Sequence, residues 1–464
     1  MLTIIQGVVA WGIRGLWAKW SKSGEMRTGV CIASLLMLLE GCTRPAVHAP
    51  VTLVLLDRES VSKPYLEEYQ KELQDFTRET GILVNLLPSP ESTDEQLALW
   101  QELLKTGASG PDLYGIDAIW AGVLNEDLID LKPYFANEIS EDFPPVVAAY
   151  TVDDKLVAVP YRVELGLLYY RTDLLQQYGY RAPPRTWDEL GTMAARIQAG
   201  ERAKGRKEFW GFVWQGADSE ALTCDALEWQ ASEGGGQIIE KNKAISVNNA
   251  ETVRAWQRAA RWVGSISPPS VVAFKEWDAQ NVWVAGDAAF MRGWTVAYAG
   301  SREAGVPIRD KFDVTLLPAG KAGRVGTLGG AGLAVSRFST HPREALDLVR
   351  YLISRDVRVK RSRVLTGPTT EPKLHEALLG SEANPDFALL THALANNVVS
   401  RPSNATDKKY EDVTHAYMHA VHSVLTGEVT APRAVAALEK ELIRITGFKK
   451  GPPPRGNTTP EGKF

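Results

Sequence analysis

Glu411, His415, His419 and His422 recur at i, i+4, i+8 and i+11, so on a helix they share one face. Zinc takes convergent nitrogen and carboxylate ligands of this kind. A half-exposed histidine-rich face needs no metal to exist, however, and no metal site is assigned to it. Asp117 ends a short apolar run. A carboxylate so placed is seldom buried without a partner, which makes it a candidate ligand contact. Asp117 and Glu164 together have the chemistry of a glycosidase carboxylate pair, but nothing in the sequence sets their separation. The G-x-S-x-G, H-E-x-x-H, phosphate-loop and paired C-x-x-C patterns are absent, so no enzyme and no cofactor are expected. Fourteen tryptophans in 464 residues offer flat π-faces as well as core volume. Fifty-two basic residues against 56 acidic ones give a net charge of −4, which supplies no field for binding nucleic acid.

The elements that must position these residues alternate. Residues 52–56 are a short β-favouring run, followed by the polar turn 57–60, an amphipathic helix over 61–80 and a second strand at 82–87. Gly81 stands where a helix C-cap glycine belongs, so the first unit reads β-α-β. In α/β sheets ligands meet the carboxyl ends of the strands, which puts residues 57–59 at the mouth of a cleft, with Glu59 the choice among them. A helix follows at 94–106, a buried strand at 112–116 and a strand at 155–159 that Pro160 ends. Beyond it come an apolar run at 165–170, helices at 173–178 and 251–263, a glycine-rich strand at 326–335 and one helix over 342–355. Thr186 with Glu189 forms a capping box. Residues 449–464, with three consecutive prolines and no apolar cluster, read as a disordered tail.

The start of the chain reads as an address. From Arg27 one positive charge precedes an apolar run over 30–39, then Gly41 and Cys42, the pattern of a secretory signal peptide. The run is far short of the roughly 20 residues a spanning helix needs. Residues 1–25 precede this signal, and Met26 is the expected initiator. Leu39, Gly41 and Cys42 resemble the lipobox of bacterial lipoproteins, with Cys42 the lipidated mature N-terminus, while Glu40 departs from it. Residues 42–49 then link anchor to body. Removing residues 1–41 takes four basic and two acidic residues, so the body is more acidic still. Cys224 is then the one cysteine left in the body, and no disulfide is possible within it.

Four segments in order carry a family likeness: PDLYGIDAIWAGVL from Pro111, VPYRVELGLLYYRTDLLQQYGY with PPRTWDEL from Val159, GDAAFMRGW from Gly286, and LLPAGKAGRVGTLGGAGLAVS from Leu316. With the opening β-α-β unit they cover nearly all of the mature chain. The sequence resembles the family-1 extracellular solute-binding proteins of ATP-binding-cassette (ABC) importers, most of all their trehalose/maltose-binding subgroup. That resemblance implies an α/β, two-lobed periplasmic-binding-protein fold of type II, hinge-linked around a ligand cleft. The lobes would be 50–158 plus 319–360, and 159–318 plus 361–448. It also implies a monomeric, exported, periplasmic or cell-surface lipoprotein that meets the membrane only through its anchor. Its partners would be a small carbohydrate and the ABC permease subunits.

A sugar offers hydroxyls that donate and accept, plus an apolar C–H face, so its site needs carboxylates or amides beside aromatic rings. The resemblance gives these roles to Asp117, Glu164, Trp294 and, more loosely, Trp214, Gln215 and Gly216 with Glu220. Arg162 stands where the disaccharide binders have an aromatic residue. The glycine pair Gly329–Gly330 is followed by Ala331 where those relatives place Trp, and Pro368, Thr369 and Thr370 stand where they carry an arginine. A smaller or anionic solute such as a polyol phosphate is the alternative, with Arg162 and Arg292 as its cations. A sensor that presents the sugar to a receptor without importing it is another.

Overall fold

The computed structural model describes residues 50–57, 63–90, 93–107, 110–365, 368–378 and 387–453. Glu59, the signal region, Cys42 and the end of the expected tail lie outside them.

The opening unit forms as its pattern requires. Strand β1 (Thr52–Leu56) is followed by the helix Lys63–Thr80 and by β2 (Leu83–Leu87), which pairs parallel with β1. Gly81 takes φ +77°, the left-handed conformation that ends the helix. The helix Thr93–Lys105 leads to β3 (Leu113–Asp117), parallel to β1 and wholly buried. A strand covered on both faces carries a continuous apolar run instead of alternation.

The chain then makes a small hairpin, β4 (Thr151–Val152) with β5 (Lys155–Leu156), before the long strand β6 (Val159–Arg171). Pro160 was expected to end a strand over 155–159 and instead lies inside β6. Its partner is Gly332, beside a register shift at Ala331 and Gly332, and such an irregularity tolerates a residue without an N–H. The remaining strands are β7 (Trp210–Val213), β8 (Ala288–Trp294), β9 (Phe312–Leu316), β10 (Gly326–Val335) and β11 (Val398–Val399).

Among the described residues these form one nine-stranded sheet in the order β2-β1-β3-β10-β6-β8-β7, with β9 also on β6 and β11 on β10. Two strands carry it from end to end. The first part of β6 pairs antiparallel with β10, and the remainder pairs with β8 and β9. The far part of β10 lies between β6 and β3. Gly330 adopts φ +135°, and a Cβ there would meet the Arg162 carbonyl oxygen at 2.3 Å, so close approach of β10 to β6 requires glycine.

Apolar packing follows the two ends of the sheet. Leu53, Leu55, Tyr69, Phe76, Leu131 and Leu346 fill one core. Trp187, Trp214, Trp229, Trp256 and Tyr417 fill another. A third joins Trp100, Tyr114 and Trp120 to Tyr169, Trp283 and Met291. Each fully buried large apolar side chain contributes roughly 1.5–3 kcal/mol, so most of the tryptophans serve stability.

Several boundaries move. The helix expected over 342–355 stops at Leu352, and a separate helix, Arg355–Leu365, follows. Arg358 of that helix pairs with Asp142 at 2.8 Å and Arg361 with Glu72 at 2.6 Å, both on the β1–β3 side. Ala319 and Ala322, before β10, are hydrogen-bonded to Arg185 and Ser232, on the β7–β8 side. Lys449–Gly451, assigned to a disordered tail, run beside Ile245 through two backbone hydrogen bonds of 2.9 Å, so the ordered chain extends past the expected boundary.

Candidate functional site

A cavity of about 460 Å³ opens where β3, β6, the end of β8 and β10 meet. Asp117 enters it as the last residue of β3, at the carboxyl end of a buried strand. Its Oδ1 accepts from the Ile119 amide (3.2 Å) and from Arg401 Nη2 (3.4 Å). Arg401, just beyond β11, donates from Nη1 to Glu220 Oε1 (2.9 Å) and from Nη2 to the Leu328 carbonyl (3.4 Å). Glu220 opens the helix Glu220–Glu233 and also accepts from the Tyr410 hydroxyl (2.6 Å) and the Thr414 hydroxyl (2.7 Å). Burial pushes its carboxyl above the usual range, with Arg401 and these hydroxyls acting against the rise.

Arg162 and Glu164 stand two apart on β6, which puts both on one face of the strand. Across from them on β10 lie Ala331 and Gly329. Arg162 is 3.6 Å from the buried Asp57 carboxylate, and its guanidinium lies over the Tyr161 ring, 4.9 Å from the centroid. Glu164 accepts from the Val296 amide (2.9 Å) and from the Thr295 hydroxyl. Trp294, at the end of β8, shows the cavity an aromatic ring, with Gly293 and Met291 beside it. Arg292 backs that ring at 4.0 Å from guanidinium to centroid. Gln215 reaches the wall with its amide fixed at both ends: Nε2 donates to the Arg292 carbonyl (3.1 Å) and Oε1 accepts from Arg292 Nη1 (3.3 Å).

Among the described residues the wall thus carries carboxylates from Glu95, Asp117, Glu164, Asp218, Glu220 and Glu276, and cations from Arg162, Lys275 and Arg401. Such a lining accepts hydrogen bonds from hydroxyls, offers aromatic surface and repels anions.

The family model for the bacterial extracellular solute-binding proteins matches residues 71–377, well over half of the chain. The chain belongs to this family. The solute-binding protein is 43% identical over 383 residues to a Deinococcus radiodurans protein named as a probable ABC transporter-binding protein, covering 82% of this chain and 91% of that one. It is similar in structure to maltose-bound T. maritima MalE3, with TM-score 0.78, 32% identity and coverage of 85% of this chain and all of the other. It also shares its fold with a solute-binding protein of Agrobacterium vitis holding D-mannitol, with TM-score 0.69, 19% identity and coverage of 85% and 97%. These matches identify the fold as the α/β fold of the two-lobed solute-binding proteins.

In the solute-binding protein, Asp117, Arg162, Glu164, Trp294 and Gly330 line one cavity, and Glu59 lies outside the described residues. Trp214 does not join them. It is 0% exposed, donates its indole N–H to Ser267 Oγ (3.0 Å) and packs edge to face on Trp229 at 5.0 Å, because it extends the apolar run of β7 into the core. Arg292 is no cleft cation either: it is 0% exposed and paired with Asp225 (2.9 Å) and Glu228 (2.7 Å). Thr369 and Thr370 are buried away from the cavity, with the Thr370 hydroxyl donating to Asp142 (2.8 Å).

Among the lining residues that escaped the sequence reading are Arg401, Trp277 and Gln280. Arg401 carries no local signal, since its partner Asp117 is 284 residues away. Trp277 and Gln280 are three apart at the start of a helix, a spacing that puts them on one face.

The residues 411, 415, 419 and 422 share a helix, Tyr410–Leu425, but turn to different partners. Glu411 accepts from Gln101 (3.1 Å), His419 meets Asp218 (3.2 Å) and His422 reaches the Val272 carbonyl (3.1 Å). Among the described residues no group of three or more His, Cys, Asp or Glu side chains is arranged to hold a metal.

Proposed function

We propose that this solute-binding protein captures a neutral sugar, a di- or oligosaccharide of the maltose or trehalose kind, and delivers it to the permease of an ABC importer. The observation that carries this reading is the cavity wall, which sets Asp117, Glu164 and other carboxylates beside the ring of Trp294. Hydroxyls donate to the former and a C–H face rests on the latter. An anionic solute would need spare cations. Arg292 is sealed in the core, Arg401 is paired with two carboxylates and Arg162 lies beside Asp57, which leaves Lys275 in a wall that carries Glu95, Asp218 and Glu276 as well. The relatives' printed names, an ABC transporter-binding protein and a maltose-bound structure, support the same reading.

Closure of the two lobes around the ligand would produce the state that the permease recognises, with no chemical change to the solute. Cys42 would hold the exported protein at the membrane through lipid, and the body would act as a monomer. Thermal unfolding of residues 50–464, one compact unit, against disaccharides, maltodextrins, monosaccharides, polyols and sugar phosphates tests the reading. Ligand at 100 times its Kd adds about 2.7 kcal/mol, and the expected result is a raised midpoint with one neutral sugar class. A rise only with sugar phosphates would overturn it.

A further inference from the structure

Most tryptophans among the described residues are buried, yet Trp277 is 42% exposed and lines the same cavity as Trp294. It sits in the first turn of the helix Glu276–Val284, which packs on β8, the strand that ends at Trp294. The start of this helix is held by Asp278, whose Oδ2 accepts from the Lys275 amide (2.9 Å), so the backbone carrying Trp277 is set in place. One turn on, Gln280 also faces the cavity, and Gly300 leaves it room: a Cβ there would meet its Nε2 at 2.8 Å. An exposed indole and an amide on one helical face, aimed into a carboxylate-lined cavity, form a surface for a polyhydroxylated ring. Along β10 the cavity is lined by Gly329, Gly330 and Ala331, which offer no aromatic ring.

We propose that this helix start is a second ligand-contacting element, in which Trp277 stacks on a sugar ring and Gln280 binds its hydroxyls. The inference rests on the sugar reading above and narrows it. Two indoles on packed elements, Trp294 and Trp277, contact two rings at once, so the cavity selects ring-bearing di- or oligosaccharides over acyclic polyols. Because both indoles belong to the β8 side, the aromatic surface is assembled before the lobes close, and the β3 side brings Asp117 down onto a ligand already seated.

Calorimetric titration of the wild type, Trp277→Ala and Trp277→Phe with maltose, trehalose and D-mannitol tests this. In Trp277→Ala the disaccharide Kd should rise about tenfold or more while the mannitol Kd changes less than about threefold, and Trp277→Phe should recover most of the loss. Trp277 is exposed, so the unliganded midpoint of either variant should stay near that of the wild type. Unchanged disaccharide affinity in Trp277→Ala, or an equal loss for mannitol, would overturn the inference and leave sugar capture standing. A wild type that binds mannitol but neither disaccharide would overturn the selectivity. A wild type that binds none of the three would overturn the sugar reading and this inference with it.

Discussion

Two arginine clusters with nearly the same membership lie within one molecule. Arg292 holds Asp225 and Glu228, and Arg401 holds Asp117 and Glu220. In the first, every guanidinium nitrogen is engaged: Nε with Asp225 (2.9 Å) and Glu228 (3.1 Å), Nη1 with Gln215 (3.3 Å) and Nη2 with Glu228 (2.7 Å). In the second, Arg401 lines the cavity, and its Nε has no hydrogen-bond partner among the described residues. A cluster sealed in the core is scaffold, and its outward product is the backed ring of Trp294. A cluster whose arginine and carboxylates line the cavity can meet a guest. Composition does not separate the two roles; access to the cavity does.

The largest effect should come from breaking the sealed cluster. Arg292→Met leaves Asp225 and Glu228 buried without their cation and should cost about 3–5 kcal/mol, read as a large fall in the thermal midpoint without ligand. If the midpoint barely moves, Arg292 is no scaffold.

A buried histidine tests how burial acts on a group that is neutral at physiological pH. His375 accepts from the Thr369 amide at Nε2 (2.7 Å) and meets the Thr391 hydroxyl at Nδ1 (2.7 Å). Burial pushes its imidazole down to about 4 from 6.5. Below pH 6.5 the unfolded chain takes up a proton that the folded chain refuses, so stability falls as pH drops from 6.5 towards 4. The loss is on the order of 3 kcal/mol, and His375→Gln should flatten it in denaturant titrations across that range. The raised carboxyl of Glu220 acts with the opposite sign, its charging costing stability as pH rises above its ordinary value of 4.5.

The smallest effect on stability, and a visible one on binding, belongs to the open cluster. Arg401→Gln should lower the midpoint less than Arg292→Met, because Glu220 keeps the Tyr410 and Thr414 hydroxyls. It should weaken the ligand by roughly tenfold or more in calorimetry. Equal damage to stability from both variants would erase the distinction between the clusters.

The sequence made the first β-α-β unit readable because hydrophobic period and cap residues agree there, with Gly81 at its expected left-handed φ. It made Asp117, Glu164 and Trp294 readable because each sits on or beside a strand whose likeness to the family is local. Arg292 was misjudged against a signal that was present. On β8 its neighbours Met291, Gly293 and Trp294 all line the cavity, so alternation does not decide its direction, and the signal was its place inside an apolar run, where a cation needs buried partners. Trp214 failed for the opposite reason: nothing in a short apolar run tells a core indole from a cleft one. Arg401 was beyond reach, since its role is created by tertiary pairing across hundreds of residues. The break between Leu352 and Arg355, and the continuation of β6 through Pro160, are likewise set by packing that local pattern does not record.

The glycine wall of β10 constrains what this protein can become. At Gly330 the backbone takes φ +135° and a Cβ would strike the Arg162 carbonyl oxygen; at Gly329 a Cβ would come within 3.2 Å of the Trp294 ring. At these two glycines mutation cannot decorate the wall without disturbing its neighbours on β6 and β8. Evolutionary freedom to change diet is therefore lopsided: new side chains fit at Ala331, which already carries a Cβ, and around Trp277 and Gln280, where substitutions meet solvent instead of backbone.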